Sequence, residues 1–160
     1  MKKTFSVILA LLLLCGCNGK TNIKPVKSGL EFTADATYYN ESYECRCTIQ
    51  KNGDTEVEFT YPADIKGLKY YFSSGGVSVK FKNIEYISQQ IVFENSVATL
   101  IYDVLSKCGD TVTEKDKVFY IEGISNDLEY KLEVGATGFP IRITTHPSVA
   151  KIEFKNVKII

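Results

Sequence analysis

The chain has 160 residues, and its 19 lysines and arginines balance 19 aspartates and glutamates. A balanced charge argues against a nucleic-acid-binding protein, because such proteins carry a basic surface. Tyrosine and phenylalanine are plentiful, tryptophan is absent and β-branched residues recur, a composition that favours strands. The length suits one domain with its own core.

The N-terminal segment, MKKTFSVILALLLLCGC, determines where we expect the protein to be located. Lys2 and Lys3 precede an uncharged apolar run that is much shorter than the roughly 20 residues of a membrane-spanning helix. Leu14, Cys15 and Gly16 then lead into Cys17. This pattern resembles the bacterial lipoprotein signal more than an ordinary secretory cleavage site. The resemblance implies cleavage after Gly16 and a lipid on Cys17, which would hold the protein on the extracytoplasmic face of the cell membrane.

Three segments follow from this interpretation. Residues 1–16 are the expected signal peptide, and residues 17–29 are the expected lipidated N-terminus and tether. The tether is polar and contains glycine, proline and lysines, a composition typical of flexible linkers. Residues 30–160 form the expected β-rich domain.

The first part of that domain alternates apolar and polar residues, which predicts half-buried antiparallel strands. From Leu30 to Tyr61 the alternation predicts a three-stranded meander, with a turn at residues 40–42 and a hairpin at Asn52-Gly53. Pro62 ends the meander, and residues 62–68 are expected to form a turn or a single helical turn. The next predicted strands are Lys69 to Phe72, Val77 to Lys82 and Glu85 to Ser88.

One helix is predicted, from Ser96 to Lys107, because apolar residues recur at helical spacing on one face. Asn95 or Ser96 can cap its start, and Gly109 lies where a helix end is expected. The apolar face comprises Val97, Leu100, Ile101, Val104, Leu105 and Cys108.

Strands are expected to resume after the helix and to continue to the end of the chain. The total is about eight to ten, and short connections make sequence neighbours pair. A sheet of that size twists and curls. The predicted fold class is therefore mainly β (α+β), a curved antiparallel sheet or half-barrel with one amphipathic helix on its concave side. The late predicted strands are 117–122, 128–134, one opened by Ile141 and Ile143, and 149–160.

The order of these features is similar to that of a known group of lipoproteins. A lipidation signal and tether precede a strand meander, a turn from Pro62 to Leu68, one helix and a Gly138-Phe139-Pro140 turn. This order resembles Gram-positive, clostridial-type lipoproteins related to the outer-membrane lipoprotein carriers of the LolA and LolB superfamily. The resemblance implies a half-barrel plugged by helix, with a cavity that holds acyl chains. The carriers open with a long helix, whereas here the tether leads straight to Phe32.

Three cysteines remain after Cys17, and their state has two interpretations. Cys45 and Cys47 are two positions apart on one strand face, about 7 Å, which is too far for a bridge between them. A disulfide from Cys47, or from Cys45, to Cys108 would join the helix to the sheet and contribute about 4 kcal/mol. The alternative is three buried free thiols. A three-thiolate metal site is disfavoured, because Cys-x-Cys is not the usual zinc spacing.

No residue pattern predicts an enzyme. His146, the sole histidine, precedes Pro147 at a strand end with no nucleophile motif beside it. Acidic residues alternate along strands as they do on solvated faces, and the glycine pairs lie in turns. We therefore expect no catalytic residue, no metal and no cofactor.

The surplus of apolar residues suggests binding. Residues 70–72 and 118–121 are apolar at both parities, which predicts that parts of both sheet faces are covered. One interpretation is an apolar cavity under the helix, lined by Val97, Leu100, Ile101 and Val104 and closed by Ile91 and Phe93. The other is a solid core. The first functional hypothesis is a non-catalytic scaffold that binds another envelope protein. The second is a carrier of acyl chains, lipoprotein or lipid.

Overall fold

The computed structural model of the protein describes residues 26–89, 96–106 and 111–160. Within these ranges the fold is one sheet of eleven strands and one helix, so the mainly β prediction is confirmed. The helix α1 is Val97–Ser106. The strands are β1 Leu30–Tyr38, β2 Glu41–Ile49, β3 Thr55–Tyr61, β4 Lys69–Ser73, β5 Gly76–Phe81, β6 Ile84–Ser88, β7 Thr111–Lys115, β8 Val118–Ser125, β9 Leu128–Gly135, β10 Pro140–His146 and β11 Ala150–Ile159.

All the strand pairs are antiparallel, and the order across the sheet is β6-β5-β4-β3-β2-β1-β11-β10-β9-β8-β7. Strands that are neighbours in sequence pair as predicted, except β6 and β7, which the helix separates. The one long-range pair within the described ranges joins β1 to β11, with Leu30 opposite Ile159 and Tyr38 opposite Ala150. This pair unites the two runs of hairpins into one sheet and leaves β6 and β7 at its two ends.

The sheet curves around the helix, and two contacts of α1 show this. The ring of Tyr102 stacks on Phe72 of β4 with centroids 4.4 Å apart, and Ser125 of β8 donates a hydrogen bond to the Asp103 carboxylate at 3.0 Å. In a flat sheet β4 and β8 would be roughly 34 Å apart, at about 4.8 Å per strand, whereas a helix is only about 10 Å wide. One helix therefore reaches both strands only because the sheet curls around it. The predicted open half-barrel with a helix on its concave side is confirmed.

Several element boundaries differ from the sequence-based predictions. The first turn is Tyr39-Asn40, not residues 40–42, and both residues have positive φ, as a type I′ hairpin turn requires. The same turn at Asn126-Asp127 lets β8 continue to Ser125, so the predicted end of that strand at residue 122 is wrong. Strand β7 was not predicted at all. All five of its residues are exposed, and its TVTEK sequence has little apolar content.

Other local predictions are confirmed. Ser96 caps α1, because its hydroxyl accepts a hydrogen bond from the Thr99 backbone N–H at 3.1 Å. The Asn52-Gly53 hairpin closes through a hydrogen bond from the Gly53 N–H to the Gln50 carbonyl, at 3.0 Å. Residues 63–65 form the single helical turn expected after Pro62. No helix within the described ranges has the length and apolarity needed to cross a membrane.

Candidate binding surfaces

The two faces of the sheet differ in chemistry. The outer face carries cross-strand ion pairs that are exposed to solvent, and each such pair contributes little to stability. The inner face is apolar and holds the core, including Phe32, Val57, Phe72, Leu132 and Ile152. Outer-face ion pairs include Arg46–Glu58, Lys69–Glu56, Lys131–Glu122, Arg142–Glu133, Lys155–Asp35 and Lys158–Glu31.

The predicted coverage of both faces at residues 70–72 is wrong. Tyr70 and Phe72 point inward and are buried, but Tyr71 is 41% exposed on the outer face. Its hydroxyl donates a hydrogen bond to the Asp54 carboxylate at 2.7 Å, and this bond raises the pKa of Tyr71. An amphipathic tyrosine can face water through such a bond, so its presence does not require a second apolar layer.

The helix brings together the residues predicted to line a cavity. Val97, Leu100, Ile101 and Val104 are all on the concave side and at most 3% exposed. They belong to the same apolar cluster as the inner residues of β1, β2 and β9. The predicted lid residues Ile91 and Phe93 lie outside the described residues, so the cavity itself stays a prediction.

Polar contacts fix the helix in place. Tyr70 of β4 forms a hydrogen bond with Ser96 at the helix start. Burial raises the pKa of Tyr70 and outweighs this hydrogen bond, which lowers it. Near the other end, Asp103 is only 4% exposed and accepts the hydrogen bond from Ser125. A buried polar group without a hydrogen-bond partner destabilises the fold, so these bonds favour one position of the helix on the sheet.

The apolar inner face extends to β6, the strand at one end of the described sheet, and is exposed there. Val79 and Phe81 of β5 are half-buried, and their partners across the pair are Tyr86 and Ile84 of β6. Directly opposed residues point to the same face, so these four side chains form one surface, which we call the edge patch. Ile84 is 73% exposed and Tyr86 48%. Ile87, on the opposite face of β6, is also 73% exposed.

Two grooves lie elsewhere on the outer face. The larger, about 470 Å³, crosses β8, β9 and β10 and is lined by Glu122, Glu129, Lys131 and the exposed His146 among others. The smaller, about 250 Å³, crosses β11, β1 and β2 and is lined by Asp35, Glu44 and Lys151 among others. Both are open to solvent and are lined by polar and apolar surface in about equal parts, so neither is the mostly apolar concavity of a small-molecule site.

The two described cysteines, Cys45 and Cys47, are in an environment that makes a thiol unreactive. Cys45 and Cys47 are free thiols on the inner face, 1% and 0% exposed. Burial raises the pKa of Cys45 to about 12 and that of Cys47 well above its usual value, so neither forms the thiolate needed for nucleophilic or metal chemistry. Cys108 and the lipidation site Cys17 lie outside the described residues, so the disulfide and the lipid stay predictions.

The described ranges contain no group of three His, Cys, Asp or Glu residues able to hold a metal ion.

The edge patch was missed by sequence reasoning. Its signal was available in Ile84-Glu85-Tyr86-Ile87, where large apolar residues occur at both parities of a short strand.

Comparison with known proteins supports the fold. No protein-family model and no curated protein match the sequence. Among solved structures, an uncharacterized conserved protein from Thermus thermophilus is similar, with a TM-score of 0.58 and 14% identity over 86% of this chain and 82% of that one. A LolA superfamily protein from Nitrosomonas europaea is similar with a TM-score of 0.52 and 12% identity, over 86% of this chain and 90% of that one. At these identities the likeness shows that the fold is LolA-like.

Proposed function

We propose that this chain is a lipid-anchored, extracytoplasmic binding protein without catalytic activity, and that its partner is another envelope protein. The lipidation pattern ending at Cys17 supports the location. The observation that carries the binding role is the exposed edge patch together with Ile87. Large apolar side chains exposed on both faces of one strand are unusual on a surface that meets only water.

The position of β6 favours a protein as the partner. It is the last strand of the described sheet, with β5 on one side and no described strand on the other. An extended segment of a partner can add to such an edge through main-chain hydrogen bonds, and pockets for alternate side chains then give specificity. Ile84 and Tyr86 on the inner side and Ile87 on the outer side would flank that segment.

The absence of catalysis is supported by the chemistry of the available groups. The two described thiols are buried and protonated, and His146 is exposed in an open groove. A nucleophilic site needs an activated nucleophile beside a base.

A second candidate function is favoured by the likeness to a LolA superfamily protein. If the chain shares the carrier activity that the sequence resemblance implies, an acyl chain would enter between α1 and the β5–β6 end of the sheet. The tight packing of Ile101 and Val104, which are 0% and 1% exposed, favours the protein-binding candidate.

Membrane fractionation of cells tests the anchor. Cys17→Ala removes the lipid acceptor and should release the protein from the membrane fraction. Cys15→Ala is the matched control, because it exchanges a cysteine that would leave with the signal peptide, and it should stay in the membrane. Retention of both variants would contradict the proposal.

Native mass spectrometry and site-specific photo-crosslinking separate the two candidate ligands. A chain beginning at Asn18 should be free of bound lipid, whereas a lipid present in stoichiometric amount would favour the carrier. In cells, a photo-crosslinking residue at Ile84 should capture one discrete protein, and the same residue at Ile124 should not. Ile124 is the control because it is 64% exposed but lies on β8, away from the edge patch. Equal crosslinking from both positions would refute the assigned surface.

A further inference from the structure

The described chain starts at one end of the sheet and is held there. The Lys27 N–H donates a hydrogen bond to the Gly138 carbonyl at 3.1 Å, and the Ile160 N–H donates one to the Gly29 carbonyl at 2.9 Å. Residues 26–29 therefore lie against the β9–β10 turn and the end of β11. The register carries this end of the strands across to Ile49 and Thr55 of β2 and β3.

This end exposes aliphatic side chains next to lysines. Ile159 is 61% exposed, Ile160 42% and Ile141 41%. Lys27 and Lys51 are exposed beside them, and the Lys51 side chain lies against Gly29. We call these five residues the tether end. Apolar side chains flanked by lysines favour binding at a bilayer interface, because the apolar groups are buried there and the lysines attract anionic lipids.

The chain preceding Val26 restricts what this end can meet. Eight residues lie between Cys17 and Val26, which makes nine Cα–Cα steps, so the extended length of this segment is at most about 32 Å, and a random coil of that length averages about 17 Å. Strands of nine or ten residues place the opposite end of the sheet, with Tyr39 and Tyr61, about 30 Å farther away. At this average length, a lipid on Cys17 keeps the tether end closer to the membrane than the opposite end, and therefore at the higher effective concentration there.

We propose that the tether end is a membrane-contact surface on which the domain stands. Ile141, Ile159 and Ile160 enter the lipid interface, and Lys27 and Lys51 lie among the head-group phosphates. This orientation rests on the proposed lipid anchor. It directs the start of β6, with Ile84, away from the bilayer, because Ile84 belongs to the opposite end of the strands. The edge patch is then accessible to an envelope protein.

Lysine reactivity tests the orientation on the native sequence. The lipidated protein is purified from membranes and reconstituted in vesicles of three parts phosphatidylcholine to one part phosphatidylglycerol. A membrane-impermeant amine reagent is then applied, and the modification of Lys51 and Lys66 is measured by mass spectrometry. Both lysines are exposed, but Lys66 lies in the turn at the opposite end. Lys51 should be protected relative to the chain beginning at Asn18, and Lys66 should not.

Variants distinguish contact from mere anchoring. The triple variant Ile141→Ser, Ile159→Ser, Ile160→Ser should still float with vesicles, yet Lys51 should regain its reactivity. Equal reactivity of Lys51 and Lys66 in wild-type protein that floats would overturn the orientation and leave the anchor intact. Protein that does not float would overturn both. Circular dichroism confirms that the variant is folded.

Fluorescence gives an independent measurement, because the chain has no tryptophan. Single tryptophans at Ile160→Trp and Tyr39→Trp report the two ends of the sheet, and Tyr39 is 59% exposed. In vesicles with quencher-labelled acyl chains, the tryptophan at position 160 should lose most of its emission and the one at position 39 should keep it. Equal quenching, or none at position 160, would contradict the proposed contact.

Discussion

Ile101→Ala tests whether the helix fills the concavity of the sheet. Ile101 is 0% exposed, and the substitution removes three carbon atoms from water-free surroundings. At about 0.8 kcal/mol for each carbon, the lost transfer free energy is about 2.4 kcal/mol. The cavity left behind adds to this, and buried Ile→Ala changes cost about 2–5 kcal/mol in total. We expect a loss of about 3 kcal/mol in the free energy of unfolding.

Urea denaturation of the chain beginning at Asn18, followed by circular dichroism, measures this loss. With a slope of about 2 kcal/mol per molar, the urea midpoint should fall by about 1–2 M. Ile124→Ala is the matched control. Because Ile124 is 64% exposed, its truncation should change stability by less than about 0.5 kcal/mol. If the two variants lose similar stability, the helix does not pack in the sheet as described.

Two further predictions concern the inner face. Burial raises the pKa of Cys45 to about 12 and that of Cys47 well above its usual value. A cysteine thiol in the unfolded chain has a pKa of about 8.5. As the pH rises above about 8.5, only the unfolded chain therefore loses the two thiol protons. The stability advantage of wild type over the Cys45→Ala, Cys47→Ala double variant should therefore shrink between about pH 8 and pH 10 in urea titrations, and a constant or growing advantage would contradict the burial. Gly123→Ala would place a Cβ 2.8 Å from the hydroxyl of Tyr130, whose ring is only 5% exposed and cannot easily move, and should cost about 1–3 kcal/mol. Gly75→Ala, where the nearest atom is 3.7 Å away, should be nearly neutral, and equal urea midpoints for the two glycine variants would refute the close contact.

The parts of the fold that local sequence determines could be predicted. The spacing of Val97, Leu100, Ile101 and Val104 identifies a helix and its buried face without tertiary information. Alternation identifies β1, β2 and β3, and Asn52-Gly53 identifies a hairpin, because each depends on the conformations of only a few residues.

The parts that depend on distant contacts could not be predicted. Strand β7 is polar throughout most of its length and becomes a strand because β8 offers it backbone hydrogen bonds. The β1–β11 pair joins residues more than a hundred positions apart, and no local pattern encodes it. The inward and outward directions of Tyr70 and Tyr71 also needed the structure, since tyrosine is compatible with both.

The binding site was less accessible to sequence reasoning than the fold. Whether Ile84 and Tyr86 are core or surface depends on how far α1 extends across the inner face. The structure leaves both exposed to solvent. By contrast, Cys17 was assigned from a short contiguous pattern, and such patterns need no fold to be read.

Intact-mass analysis of protein extracted from cell membranes is the most direct test of the proposed anchor. We predict that the chain begins at Cys17 and carries a lipid bound to the sulfur of that residue. A free thiol at Cys17, or a chain that begins at any other residue, would contradict the proposal that a lipid on one cysteine holds this curved sheet at the membrane.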